Sequence, residues 1–251
     1  MFLRCAERSM FERFFQSPAL LRAGPFLVFI ALTFLQDRCG ETARYWIYFA
    51  KTVAGAAMLF VVWRHIAELK WKFSLWAVLA GVGVFAFWVG LDTFSPHTNE
   101  LHSRFVCPLL KSVGLASACP PPVAPTPWNP NAAFGSGSAL AIFFIIVRIV
   151  GSSLVVPPLE EVFWRSFIYR YLARREFDRE PLGKFFPVSF LVTSAFFGLS
   201  HHQWLAGILC GFVYQGLVVW KNRLGDAMTA HAITNCLLGL WIVWKGQWQF
   251  W

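Results

Sequence analysis

The chain has 251 residues, of which 57% are apolar and 14% charged, against roughly 45–50% and about 25% in an ordinary soluble domain. With 13 Trp, 5 Tyr and 27 Phe, it has too little polar surface to cover a soluble core, and its hydrophobicity excludes an intrinsically disordered chain. A polytopic membrane protein remains, and its net charge of +9 sits in short loops between apolar runs rather than along one face, so no nucleic-acid partner is expected.

The first candidate span covers residues 18–36 and contains Arg22 and Pro25. The residues before it are basic but lack the apolar core and small-residue cleavage site of a secretory signal, so no removable signal peptide is expected. Residues 45–63 form the second span, with Lys51 inside it, and residues 73–91 the third, free of Asp, Glu, Lys and Arg. The long connection over residues 92–137 carries Pro120, Pro121, Pro122, Pro125, Pro127 and Pro130. It reads as extended, polyproline-like chain with little regular structure. Cys107 and Cys119 flank its middle and are either a disulfide, in an oxidising compartment, or two free thiols. No cysteine spacing of the metal-binding type occurs.

Residues 138–158 make a further span, interrupted only by Arg148. Residues 185–220 are uncharged, about two spans in length, with His201, His202 and Gln203 near their middle; residues 227–244 form the last span. A crossing takes ~20 helical residues. The fold class read from this is all-α: a polytopic membrane helical bundle of about seven transmembrane helices. N-terminal transmembrane helices occupy residues 1–91, the Pro-rich loop 92–137, and a second helical domain 138–251.

Basic residues orient the set. With the N-terminus inside, the inner segments carry Arg4, Arg8, Arg13, Arg22, Arg64, Lys70, Lys72, Arg165, Arg170, Arg174, Arg175, Arg179, Lys184, Lys221 and Arg223. The outer segments carry only Arg38, Arg44, Arg104, Lys111 and Lys245. That bias is what the positive-inside rule expects of an N-in, C-out chain. The basic loops would then face an anionic leaflet, which makes anionic lipid an expected partner.

Three polar sets do not belong in lipid, where ionisable groups face a cavity or a partner. The first is Pro157-Pro158-Leu159-Glu160-Glu161-Val162-Phe163-Trp164-Arg165. The prolines are expected to end one helix and the glutamates to begin the next, where carboxylates suit the positive end of the dipole. Glu161 and Arg165, four apart, are expected to pair on one face, while Glu160, rotated by about 100°, points elsewhere. The plainer reading makes both glutamates first-turn caps at the headgroups. In the second set Phe197 and His201 share a face, and His201 is either a ligand or hydrogen-bonded filler; His202 and Gln203 read as turn residues. In the third, His231 and Asn235 point from one helix into the same cavity, or act as polar glue between helices. Asp226 reads as the N-cap of that helix, with Gly225 closing the preceding segment. A free carboxylate, two imidazoles, an amide and an Arg–Glu pair are the inventory that activates a water and stabilises an oxyanion. Glu160 would accept the proton, His201 share the water, and His231 and Asn235 bind the developing charge.

Glu160-Glu161-x-x-x-Arg165, Phe197-x-x-x-His201 and His231-x-x-x-Asn235 resemble, in order, the three motifs of the CAAX prenyl protease and bacteriocin-processing family of intramembrane proteases. Phe163-Trp164-Arg165 and the Trp-rich stretch Gly246-Gln247-Trp248-Gln249-Phe250-Trp251 are similar to its bacterial CAAX-protease-related branch, associated with exosortase systems. The resemblance spans about residues 138–245. It implies an intramembrane endopeptidase in which Glu160 is the general base and His201, His231 and Asn235 surround the catalytic water. Glu161 and Arg165 would be structural or substrate-orienting, and the substrate a membrane protein or lipid-anchored peptide. The family is often labelled a metalloprotease. His-Glu-x-x-His spacing is absent here, and Glu160, His201 and His231 could hold a divalent metal such as zinc only if three helices converge, so metal-free hydrolysis is preferred. The outer Pro-rich loop and its cysteines point to a bacterial inner membrane, where prenylated substrates are not expected.

For His201 to meet Glu160 and His231, residues 185–220 must form a short hairpin whose turn lies in mid-membrane and lines a wet cavity. Two competing readings keep the same motifs. One is a non-proteolytic scaffold or immunity-type binding protein of the same fold, which would tolerate Glu160→Gln. The other is a transporter with a proton relay, disfavoured because broken helices in both halves are then expected.

Overall fold

The computed structural model describes residues 14–36, 38–92, 94, 100, 102–115, 119 and 126–251. Arg4, Arg8, Arg13, Cys5 and the expected absence of a signal peptide lie outside the described residues, as do Pro120, Pro121, Pro122 and Pro125. The described residues contain helices and no strands: α1 (Pro18–Gln36), α2 (Ala43–Val62), α3 (Leu75–Leu91), α4 (Cys107–Ser112), α5 (Pro130–Phe134), α6 (Ala139–Ala173), α7 (Pro187–Leu199), α8 (Trp204–Lys221) and α9 (Gly225–Lys245). Among them α1, α2, α6, α8 and α9 are long and apolar enough to cross a membrane, whereas α3 and α7 are apolar but shorter. Seven spans were expected; five reach crossing length. The 13 residues of α7 rise about 20 Å, short of the ~30 Å hydrocarbon layer.

The connection between α3 and α6 is more regular than its composition implied. Asn129 accepts from the backbone N–H groups of Asn131 and Ala132 at 3.0 and 3.3 Å, and Pro130 opens α5 at a position whose N–H would be unpaired anyway. Cys107 and Cys119 are free thiols, the Cys119 Sγ lying 3.7 Å from the Cys107 carbonyl.

Helix α6 corrects the reading of its prolines. One helix of 35 residues runs through Pro157 and Pro158, so Glu160 and Glu161 stand in mid-helix and cap nothing. The cause is a local change of register. Gly151–Val155 is π-helical, and the Val156 N–H bonds to Gly151 O, five residues back. In that register Ser152 O would next take the N–H of residue 157, which proline lacks. Asn235 Nδ2 donates to it instead, at 2.8 Å. A second π segment, Val162–Ile168, follows Glu161.

Helices α7 and α8 form the expected hairpin around bends at His201, His202 and Gln203. Its arms touch through glycine: a Cβ on Gly198 would lie 2.4 Å from Ile208 N, and one on Gly207 2.8 Å from Gly198 Cα. Asp226 is not an N-cap, because α9 already begins at Gly225 after Leu224. It is bonded by Arg223 and by the hydroxyl of Ser74, which itself caps α3 by accepting from Ala77 N at 3.2 Å. The main buried cluster joins Leu21, Val62, Val84 and Trp88 to Val162, Phe197, Tyr214 and Met228, so the first three helices share a core with the motif-bearing ones.

Candidate active site

Glu160 from α6, His201 beyond the end of α7, and His231 and Asn235 from α9 line one cavity of about 550 Å³. Helix α6 splits its two glutamates. Glu161 is fully buried; its Oε1 lies 3.0 Å from His231 Nδ1 and its Oε2 3.3 Å from Arg165 Nε. The expected i, i+4 pair is present, and Glu161 also orients an imidazole. An ionised carboxylate only accepts, so the Nδ1 of His231 carries the proton in this bond and Nε2 is left for the cavity.

Ring contacts fix both partners of Glu161. The Arg165 guanidinium lies 4.0 Å from the Phe197 ring centroid and 5.8 Å from that of Tyr214. Its nitrogens have no hydrogen-bond partner among the described residues, so an ion pair and two aromatic faces hold it. His231 stacks on Tyr214 at 5.2 Å and meets the Phe197 edge-on at 6.2 Å. The Tyr214 hydroxyl donates to Thr234 Oγ1 at 2.7 Å, anchoring it to α9.

His201 is held from the opposite wall. Its Nδ1 lies 2.7 Å from Phe197 O; a carbonyl only accepts, so Nδ1 carries the proton and, in the neutral ring, Nε2 is the acceptor nitrogen. Glu160, unlike Glu161, has no ion pair among the described residues. Its Oε2 is buried and has no hydrogen-bond partner among the described residues. Asn235 has one amide N–H committed to Ser152 O, which leaves the second.

Residues 141–237, which contain all six of these polar residues, match the family model of the type II CAAX prenyl endopeptidases, Rce1-like. The chain carries an Rce1-like domain. No curated protein and no solved structure matches the chain. The match supports a peptidase, and with five apolar helices of crossing length an integral membrane protein.

Two features of the Rce1-like domain bear on cofactor and completeness. Among the described residues no group of three or more His, Cys, Asp or Glu side chains could hold a metal ion. Glu160, His201 and His231 therefore do not fit a zinc site, which needs three converging protein ligands and an open position. Gln203, read from the sequence only as a turn residue, proves to be the hairpin's anchor. Its Oε1 accepts from Trp88 Nε1 at 3.1 Å and its Nε2 donates to Asp92 Oδ1 at 3.1 Å. Trp88 in turn presents its edge to His201 at 5.5 Å. No local spacing signals this, since the partners are more than 100 residues apart.

Proposed function

We propose that the chain is an intramembrane endopeptidase that hydrolyses peptide bonds of membrane proteins or lipid-anchored peptides with a water activated by Glu160. The observation that carries this reading is the contrast between neighbours: Glu161 is held by a hydrogen bond to His231 and an ion pair with Arg165, whereas the buried Glu160 Oε2 has neither among the described residues and lines a cavity shared with two imidazoles. A carboxylate so placed is suited to take a proton from water. The water oxygen attacks the scissile carbonyl carbon while its proton passes to Glu160. His201 Nε2 holds the water, and the second N–H of Asn235 donates to the oxyanion beside His231, which lines the same cavity. Glu160 then returns the proton to the amide nitrogen, the C–N bond breaks, and a carboxylic acid and an amine leave.

The same proposal places the N-terminus inside and the basic loops against anionic lipid. It sets the tip of the α7–α8 hairpin at mid-depth, and the protein in a bacterial inner membrane within the exosortase-associated branch. The test compares protein termini in membranes carrying the wild-type chain or Glu160→Ala at equal accumulation. Termini found only with wild type are the expected result. Identical termini would sink the protease and leave the non-proteolytic scaffold.

A further inference from the structure

His201 stands on the least regular backbone of the site. Helix α7 ends at Leu199 and α8 begins at Trp204, so neither helix fixes the hairpin tip between them. The bond from His201 Nδ1 to Phe197 O orients the ring against α7. It does not set where the tip lies against the rest of the bundle. Gln203 supplies that link. Its carbonyl accepts from Gly207 N at 2.9 Å and so opens α8, while its side chain, 8% exposed, reaches α3. There it accepts from Trp88 Nε1 and donates to Asp92 Oδ1, both at 3.1 Å. The Trp88 and His201 rings meet at 5.5 Å and 80°, and Phe197 lies 4.6 Å from His201 on a tilt of 47°. The imidazole is thus held between a ring of its own helix and a ring of α3.

We propose that Gln203 and Trp88 are positioning residues for His201, fixing where its Nε2 stands in the cavity through the hydrogen-bonded chain Trp88–Gln203–Asp92. The inference rests on the proteolytic reading above. Trp88 and Asp92 lie outside the matched residues 141–237, so the domain that carries the motifs takes this support from α3. An amide suits position 203 because it has one accepting and one donating end. The indole N–H only donates and an ionised carboxylate only accepts, and Gln203 satisfies both at once. Bonds at both ends of the amide fix its direction as well as its distance, and each bond polarises the other. The precision matters to rate, since a misplacement of about 1 Å at a reacting group costs on the order of a hundredfold.

The experiment measures kcat, KM and Tm from neutral to acidic pH, using the full chain in lipid vesicles and a peptide that spans a Glu160-dependent cut. Gln203→Glu keeps the acceptor for Trp88 but, when ionised, sets a second carboxylate against Asp92. At neutral pH its kcat should fall about tenfold to a hundredfold with KM little changed. Acidification should restore turnover, because the protonated carboxyl donates to Asp92 again. Asp92 and, along the cavity, Glu160, His201, His202 and His231 are the other groups here that can exchange a proton. All are present in wild type, so a limb seen only in the variant belongs to the introduced carboxyl. The exchange Gln203→Glu/Asp92→Asn returns one donor to the pair, and should remove that limb and recover kcat at neutral pH. Trp88→Phe keeps a ring without the N–H and should lower kcat about tenfold. Wild-type kinetics in either single variant would overturn the positioning role and leave proteolysis standing. So would a lowered Tm with no new limb, or an exchange variant no better than Gln203→Glu. If no terminus depends on Glu160, positioning and protease fall together.

Discussion

Adjacent glutamates with opposite surroundings give opposite expectations. Glu160→Gln keeps the shape of a side chain whose Oε2 has no partner among the described residues, so the protein should accumulate normally. Its proteolytic rate should fall by about 10²–10⁴, the usual worth of a general base, read as the yield of Glu160-dependent termini. Glu161→Gln should act on stability first. It leaves the Arg165 guanidinium, 1% exposed, without its counter-charge, a loss of about 3–5 kcal/mol for a broken buried pair. Detergent-solubilised protein should show a lowered Tm, and the double variant Glu161→Gln/Arg165→Met should recover part of it. The Glu161–Arg165 pair was legible in the sequence because four residues make one helical turn. The bond from Glu161 to His231 was not, since 70 positions separate them and only the packing of α6 on α9 joins them.

Helices were legible as charge-free runs, and their interruptions were misread. Paired prolines end an α-helix under local rules, yet α6 continues because a π turn and the Asn235 amide on another helix meet the carbonyl that the prolines orphan. That donor lies 83 residues away, outside any local pattern. The contact of α3 with α9 offers a matched test. A Cβ on Gly81 would lie 2.6 Å from Ala230 O, whereas one on Gly83 would meet nothing within 4 Å. Gly81→Ala should therefore force the helices apart and lower the Tm in detergent. Gly83→Ala, on the same helix, should be neutral or stabilising by up to about 1 kcal/mol of helix propensity. Equal effects of the two would mean that α3 does not pack as described.

At the scale of the whole molecule, a buried ionic cluster ties α1, the α2–α3 connection and α6 together. Glu68 Oε1 lies 2.8 Å from Arg22 Nη2 and 2.9 Å from Arg170 Nη2, and accepts from the Ser166 hydroxyl. Burial pushes the Glu68 carboxyl up, but the Arg22 charge and the hydrogen bonds from Ser166 and Arg22 outweigh it and hold it below its ordinary 4.5. A folded pKa below the unfolded one means that the stabilisation is complete above the unfolded value and lost as pH falls through the folded one. Thermal unfolding in detergent should accordingly show a falling Tm on acidification below the ordinary value of 4.5. Glu68→Gln should start lower and respond less.

The π turn at Gly151–Val155 carries a consequence for chain length. Such a turn is an α-helix with one residue too many, and it sits between Arg148 and Glu160. A single-residue deletion there would restore an ordinary helix and swing Arg148 by about 100° around the axis relative to Glu160. Every other side chain would be kept. The extra residue thus acts as an azimuthal setting, aligning one end of the cavity with the other.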